Sequence, residues 1–366
     1  MNFNIKRDEL LPGLQCVSGN VDRRQTLPIL SNLLFNIKPN LLSITATDME
    51  VELIVDIDVK LEQTTRLTLP ARKLLDICRA LPEGAALEFD IQNEKALIKS
   101  GKSRFTLAML PAQEYPVIDI TDETTDFSVN QEKLINLLAN TQFAMAQQDV
   151  RYYLNGLMLE VSSKNLKAVA TDGHRLAFDE TEIKAATNET KQIIVPRKGV
   201  TELMRLLQAG QDDANIKVSK NHIQVRSGNL SFTSKLIDGK FPDYQRVIPE
   251  LSETVVIASR EELKASLSRA SILSNEKYRG VRVVFNENAL HILAHNPDKE
   301  EAEEEVSVEY SGEEMEIGFN VSYLIDALST IKTEKVKLSV LDPNSSCLIT
   351  PEQKARCQYV VMPMKL

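Results

Sequence analysis

Tryptophan is absent from this 366-residue chain, and cysteine occurs four times. Cys16, Cys78, Cys347 and Cys357 include no CxxC pair, so a zinc site or a disulfide framework lacks its required spacing. Reduced, mostly buried thiols are expected instead. No apolar run approaches the ~20 residues that a membrane-spanning helix needs. The opening MNFNIKRDEL interrupts its apolar residues with Lys6, Arg7, Asp8 and Glu9 before a signal-peptide core can form. The expectation is a cytoplasmic protein with no membrane partner.

Catalytic signatures are scarce too. No GxSxG elbow occurs, and GKS at Gly101–Ser103 is no phosphate-binding loop, because Ala96 stands where the first glycine is required and a strand pattern follows. His291 and His295 lie in HILAH, a strand pattern rather than a ligand-bearing helix turn. The most enzyme-like string is TDGHR, with Asp172, His174 and Arg175 together. Its counterpart earlier in the chain, TATDME, has no histidine, which argues for a shared turn rather than an acid–base cluster. A binding scaffold is expected, with no enzyme activity, cofactor or metal.

What is present is repetition. Composition is ordinary for a globular protein, 43% hydrophobic and 26% charged, and the length calls for two or three cores. FNIKRDELLPGL, FSVNQEKLINLL and VVIASREELKASL each read as a strand leading into a helix, followed by a hairpin of alternating apolar residues. TRLTLPARKLLDICRALPEG, KQIIVPRKGVTELMRLLQAG and MEIGFNVSYLIDALSTIKT each read as a strand feeding a second helix. A second hairpin and a closing strand follow, in SRFTLAML, LSFTSKLI and CQYVVMPM. The landmarks keep step: Asp48 recurs at Asp172, 124 residues on, Pro70 at Pro196 after 126, and Phe105 at Phe232 and again at Tyr359 after 127 each. The fold class expected is α+β: three domains, 1–120, 121–247 and 248–366, each β-α-β-β-β-α-β-β-β, with antiparallel sheets and two helices. The boundaries fall in the proline-containing stretches Glu114–Asp126 and Phe241–Glu253, which read as linkers.

Charge is unevenly placed. The formal net charge is −9, yet basic residues gather on and beside the helices: Arg23 and Arg24, Arg72, Lys73 and Arg79, Arg151, then Arg197, Lys198 and Arg205. Lys264, Arg269, Lys277, Arg279 and Arg282 continue the pattern, while acids gather in VELIVDIDV and KEEAEEE. Any one of these cations is an ordinary solvated helix position. The shared bias points to nucleic acid, held through phosphates because no base-reading motif is present. A 120-residue domain is roughly 35 Å across. Closed rings of three, four and six such spheres leave holes of ~5, ~15 and ~35 Å. Only the last passes a duplex roughly 20 Å wide, so encirclement of DNA requires two chains, head to tail. A monomeric nucleic-acid binder is the competing reading.

Several stretches carry a family resemblance: TLPILSNLL (Thr26–Leu34), DVRYYLNG (Asp149–Gly156), VATDGHRLA (Val169–Ala177), VPRKGVTELMR (Val195–Arg205), DGKFPDYQRV (Asp238–Val247), SNEKYRGVR (Ser274–Arg282), EIGFNVSYLIDAL (Glu316–Leu328) and YVVMPMKL (Tyr359–Leu366). Over essentially its whole length the chain resembles the bacterial DNA sliding clamps, the β subunits of DNA polymerase III. The resemblance implies the DNA clamp fold, closed as a six-domain ring in a homodimer. It implies a processivity factor that slides on duplex DNA without sequence preference, loaded at the expense of ATP by a clamp loader and needing no cofactor itself. The implied partners are the DNA polymerase III α subunit, the clamp loader δ subunit and other clamp-binding-motif proteins.

The same resemblance assigns residues. Arg24, Arg72, Gln148, Arg151, Tyr152, Tyr153, Arg197 and Lys198 fall on or near the DNA path, which extends to Lys73, Arg104, Arg205 and Arg246. A partner-peptide groove between the second and third domains takes in Leu154, Thr171, Gly173, His174, Arg175, Leu176, Pro242, Arg246, Val247, Asn320, Tyr323, Ser346, Val360, Met362, Pro363 and Met364. An apolar run with mobile methionines suits several short hydrophobic peptides, although VVMPM also reads as a last core strand. The dimer interface pairs Phe105 and Leu107 with Ile272 and Leu273, and sets Glu300–Glu305 against Lys73 and Arg104. Two positions depart from the pattern: Gln147 where histidine is expected, and Asn344 where an apolar groove residue is expected.

Overall fold

The computed structural model describes residues 2–21, 27–120, 123–185, 187, 189–207, 212–250, 255–353 and 356–365. Among the described residues there are six α-helices: α1 (Arg7–Ser18), α2 (Ala71–Ala80), α3 (Gln131–Ala139), α4 (Arg197–Leu206), α5 (Arg260–Ala270) and α6 (Val321–Thr330). Each follows directly on a strand, as the repeats predict. In α2 the buried residues Ala71, Leu74, Leu75 and Cys78 recur at helical spacing while Arg72, Lys73, Asp76 and Arg79 point to solvent. In α1, Leu10, Gly13, Leu14 and Val17 form the inward stripe. Gly13 lets the Ile57 side chain pack close, since a β-carbon at that position would meet Ile57 Cδ1 at 2.8 Å.

The first and third repeats each hold one strand more than the sequence pattern predicts, and the second holds two. The additional strands are Val51–Asp58, Arg175–Glu182 and Glu301–Glu309, with the two-residue Lys184–Ala185 in the second repeat. Acidic side chains interrupt the apolar alternation in these segments, which the repeat pattern leaves unassigned. A strand accommodates them where the acids face outward, as Glu301, Glu303 and Glu305 do, or where a buried carboxylate finds a donor, as Glu52 does from the Ile118 N–H at 3.0 Å.

The chain divides into two compact units, which do not follow the repeats. One is Met1–Gln131 with Thr201–Leu236, and the other is Glu132–Val200 with Ile237–Leu366. Within the first unit, an antiparallel sheet runs in the order Thr125–Asn130, Asp213–Val218, His222–Ser227, Leu230–Lys235, Val51–Asp58, Leu41–Thr47, Asn32–Lys38 and Thr65–Pro70. First and second repeats are thus joined by main-chain ladder bonds, with Phe232 opposite Leu53. A smaller sheet of Asn2–Lys6, Ala86–Gln92, Lys95–Ser100 and Ser103–Ala108 completes this unit.

The second unit is built on a twelve-stranded sheet. At its middle, Gln358–Val361 pairs antiparallel with Arg175–Glu182, placing Tyr359 opposite Ala177. This joint copies the one between Phe232 and Leu53, since both partners are shifted by the repeat distance. Strand edges, rather than flexible tethers, therefore connect consecutive repeats. The proline-containing linkers are anchored as well: Tyr115 is buried and its hydroxyl donates to Asn32 O and Thr45 O at 3.3 and 3.2 Å. Phe241 and Tyr244 are buried at the second boundary. All four cysteines are free, with Cys78 and Cys347 buried. Among the described residues, no helix is long and apolar enough to cross a membrane.

Candidate partner groove and nucleic-acid interface

The groove starts from a tight turn. Thr171 Oγ1 accepts from the Gly173 N–H at 3.1 Å and donates to Arg175 O at 2.6 Å. Asp172 Oδ1 accepts from the His174 and Arg175 N–H groups at 2.9 and 3.0 Å. Gly173 adopts φ +89°, the left-handed region where a side chain is strained. A β-carbon there also meets the Arg151 guanidinium at 2.9 Å. Glycine thus lets Arg151 lie against the turn, where its Nη2 donates to Asp172 O at 3.2 Å.

Behind this turn lies a cavity of about 190 Å³ within the second unit. Of the groove residues expected from sequence, Leu154, Thr171, Gly173, Arg175, Leu176, Pro242, Val247, Val360 and Met362 line it. Sequence reasoning missed Phe241 and Tyr244, which also line it; the only signal was the aromatic density of FPDY in a stretch read as a linker. Arg151 and Tyr153, assigned to the DNA path, line it too. Met362 is partly exposed at the mouth, its N–H bonded to His174 O at 2.9 Å.

Arg175 braces the wall. Its Nε reaches Asp172 Oδ2 at 3.1 Å, its Nη1 reaches Asp326 Oδ2 at 2.5 Å, and its Nη2 donates to Phe143 O at 2.8 Å. The guanidinium lies 4.5 Å from the Tyr323 ring centroid and 5.3 Å from that of Phe143. Tyr323 and α6 are thereby held to the turn without lining the cavity. Asn320 caps α6 by accepting from the Ser322 N–H at 3.0 Å, and Met364 N–H bonds Gly318 O at 2.8 Å. Arg246 is exposed and paired with Asp243 at 2.8 Å. His174 is exposed, while Ser346 and Pro363 are half-buried beyond the lining; Asn344 is exposed, its N–H bonded to Asp342 Oδ1 at 2.7 Å.

The basic candidates fall into two sets. Arg72 and Lys73 open α2, with Lys198 in the first turn of α4, and all three side chains are exposed. Gln147, Gln148 and Val150 are exposed in the loop before Tyr152, with Gln148 at φ +54°. In that loop Asn155 bonds Asp149 in both directions, accepting its N–H at 2.9 Å and donating to its carbonyl at 2.9 Å. Arg151 doubly hydrogen-bonds the Asp149 carboxylate and holds it at a pKa of about 2. Tyr152 is exposed and Tyr153 half-buried.

The second set reaches back to main-chain carbonyls. Arg197 Nη1 donates to Met145 O at 3.0 Å, and Arg205 pairs with Glu202 at 2.8 Å and donates to Cys16 O at 3.1 Å. Arg24 lies outside the described residues. Of the interface candidates, Ile272 is 75% exposed, Leu273 and Phe105 are half-buried, and Leu107 is buried. Arg104 and Phe105 sit on Ser103–Ala108, which has Lys95–Ser100 as its strand partner on one side.

Strand-edge joints, a lined groove and exposed cations on helix starts define a class: a repeat-built α+β binding scaffold. Three segments match, in order, the N-terminal (residues 1–119), central (128–243) and C-terminal (245–365) domains of the DNA polymerase III beta subunit. The beta sliding clamp of Pseudomonas aeruginosa is 48% identical over 367 residues, covering 100% of both chains. That of Escherichia coli K12 is 46% identical with the same coverage. The crystal structure of the DNA polymerase III subunit beta from P. aeruginosa superimposes with a TM-score of 0.97 over 100% of both chains at 48% identity. The Caulobacter crescentus beta sliding clamp does so at 0.94, with 35% identity, over 100% of this chain and 99% of that one. The chain belongs to the DNA polymerase III beta subunit family, the bacterial sliding clamps. It is a DNA polymerase processivity factor and not an enzyme.

Proposed function

We propose that two copies close head to tail into a homodimeric ring of six domains, 1–120, 121–247 and 248–366 in each, that encircles duplex DNA and slides along it in the cytoplasm. One observation carries this reading. The closing strand of the second repeat pairs with a strand of the first, and that of the third pairs with a strand of the second. The closing strand of the first repeat, Ser103–Ala108, has one edge without a strand partner among the described residues. So does most of Glu301–Glu309, the third-repeat counterpart of Val51–Asp58 and Arg175–Glu182, beyond its short pairing at Val308 and Glu309.

Carrying the joint register over gives the missing pairing. Phe232 faces Leu53 and Tyr359 faces Ala177, while Thr47, Thr171 and His295 each face the residue that precedes this position by one. The third joint therefore sets Phe105 opposite Ala302 of the second copy, and Arg104 opposite Glu303. Ile272 and Leu273 supply apolar area beside it, and Lys73 adds positive charge. Completing the ladder also relieves the edge-strand hazard that an open hydrogen-bonding row presents.

DNA is held by salt-sensitive phosphate contacts from Arg24, Arg72, Lys73, Gln148, Arg197 and Lys198. Tyr152 lies near that path. The groove around Leu154, Leu176, Val247, Val360 and Met362 takes short apolar peptides of the DNA polymerase III α subunit, the clamp loader δ subunit and other clamp-binding-motif proteins.

A charge exchange tests the joint. Arg104→Glu is expected to lower the molar mass in light scattering from two chains to one at micromolar concentration, as Ile272→Ala with Leu273→Ala also should. Mixing Arg104→Glu with Glu303→Arg chains should restore a dimer. A dimer undisturbed by all three variants overturns this reading.

A further inference from the structure

The turn that carries the groove has a twin in the first repeat. Thr47 Oγ1 accepts from the Met49 N–H and donates to Val51 O, both at 3.0 Å. Asp48 Oδ1 accepts from the Glu50 and Val51 N–H groups at 2.9 and 2.8 Å. Met49 is left-handed at φ +74°, as Gly173 is at +89°. Lys235 N–H closes on Glu50 O at 2.8 Å, as Met362 N–H closes on His174 O. Beside this twin turn, within the first unit, opens a cavity of about 200 Å³ lined by Met49, Pro116, Val117 and Ile118 together with Asp119, His222 and Lys235.

The two cavities share a frame and differ in which charge is open, because the groove's Arg151 and Arg175 are held by Asp149, Asp172 and Asp326. Where the groove presents Met362, the twin presents Lys235, 127 residues earlier. Lys235 is exposed, and His222 is its cross-strand neighbour. No carboxylate pairs with the Lys235 ammonium among the described residues. Asp119 stands instead near Glu52, on the segment whose Ile118 N–H donates to the Glu52 carboxylate. Apolar surface remains open to solvent beside this cationic end, with Met49 41% and Val117 53% exposed.

We propose that this cavity is a second peptide-docking site, taking a short extended segment of a partner protein that sets an apolar side chain against Met49, Val117 and Ile118 and an acidic residue on Lys235. The inference rests on the groove reading, because the shared turn is what likens the two cavities. Charge separates their ligands: the groove suits a neutral apolar peptide, whereas an ammonium beside an apolar notch selects a carboxylate next to a hydrophobic residue.

The test is fluorescence anisotropy on the full-length protein. The probe is a fluorescein-labelled hexapeptide of alternating Asp and Leu ending in Phe, with an Asn-for-Asp peptide as the neutral control. Met362→Asp disables the groove. In that background the acidic peptide is expected to retain binding that weakens at least tenfold with Lys235→Glu and with a rise from 50 to 500 mM NaCl. Lys235→Met should keep binding of the neutral peptide and abolish the preference for the acidic one, a readout that misfolding does not mimic. No residual binding in Met362→Asp, or residual binding indifferent to both Lys235 variants, overturns the second site. A neutral peptide whose binding ignores Met362→Asp overturns the groove reading instead, whatever Lys235 does.

Discussion

Glu52 gives the joint between the first two repeats a pH signature. Its side chain is buried at 3% exposure on Val51–Asp58, opposite Thr233. Burial, aided by the charge of Asp119, outweighs the Ile118 N–H bond and raises the carboxyl from 4.5 to about 6. Below pH 4.5 both folded and unfolded chains hold this proton. Between 4.5 and about 6 the folded chain holds it more tightly, so stability falls as pH rises and then levels off. At about 1.4 kcal/mol per pH unit the whole loss is about 2 kcal/mol, of which about 1 kcal/mol falls between pH 5 and 8.

Glu52→Gln keeps an oxygen for Ile118 and removes the titration. In calorimetry, its melting temperature relative to wild type should climb between pH 5 and 8 by roughly 2–4 °C for the first unfolding transition. Contributions of all other titrating groups cancel in that difference. The added amide donors shift the variant by a constant and leave the slope intact. A wild-type-minus-variant difference that stays flat from pH 5 to 8 refutes the buried-carboxylate account of this joint.

Three further outcomes are expected. Arg175→Ala leaves Asp326 unpaired and frees Tyr323, so peptide affinity for the groove in fluorescence anisotropy should fall about tenfold, with stability lower by about 1–3 kcal/mol because Asp326 is partly solvated; unchanged affinity contradicts the bracing role. Arg72→Ala, Lys73→Ala and Lys198→Ala should each reduce the slope of log affinity against log salt for duplex DNA by about 1, and a slope that stays constant in all three removes them from the DNA path. Truncation after Val361 should abolish peptide binding and spare the dimer, because Val360 and Val361 are ladder residues whereas the chain leaves the sheet at Met362; full peptide binding by the truncated chain dismisses Met362 and the residues after it.

Repetition was legible because each repeat needs the same large residue where a closing strand meets its neighbour: Phe232 and Tyr359 fill matching positions at the two joints. The fourth strand of each repeat was not, because Glu52, Asp56 and the glutamates of Glu301–Glu309 mask a period-two pattern. Long-range ties were beyond reach as well. Nothing local says that Arg205 is occupied by Cys16 O, 189 residues away, or that Arg175 will grip Asp326, 151 residues away. Arg151 and Tyr153, assigned to the DNA path by resemblance, also line the groove, where Gly173 leaves room for the Arg151 guanidinium.

The central claim is topological, and one measurement addresses it. The protein, loaded by a bacterial clamp loader and ATP onto a nicked circular duplex, is separated from free protein by gel filtration, and the circle is then cut once. Retention on the circle at high salt followed by release on cutting is the predicted result. Equal retention on circular and linear duplex, lost in both as salt rises, contradicts encirclement and leaves a monomeric surface binder.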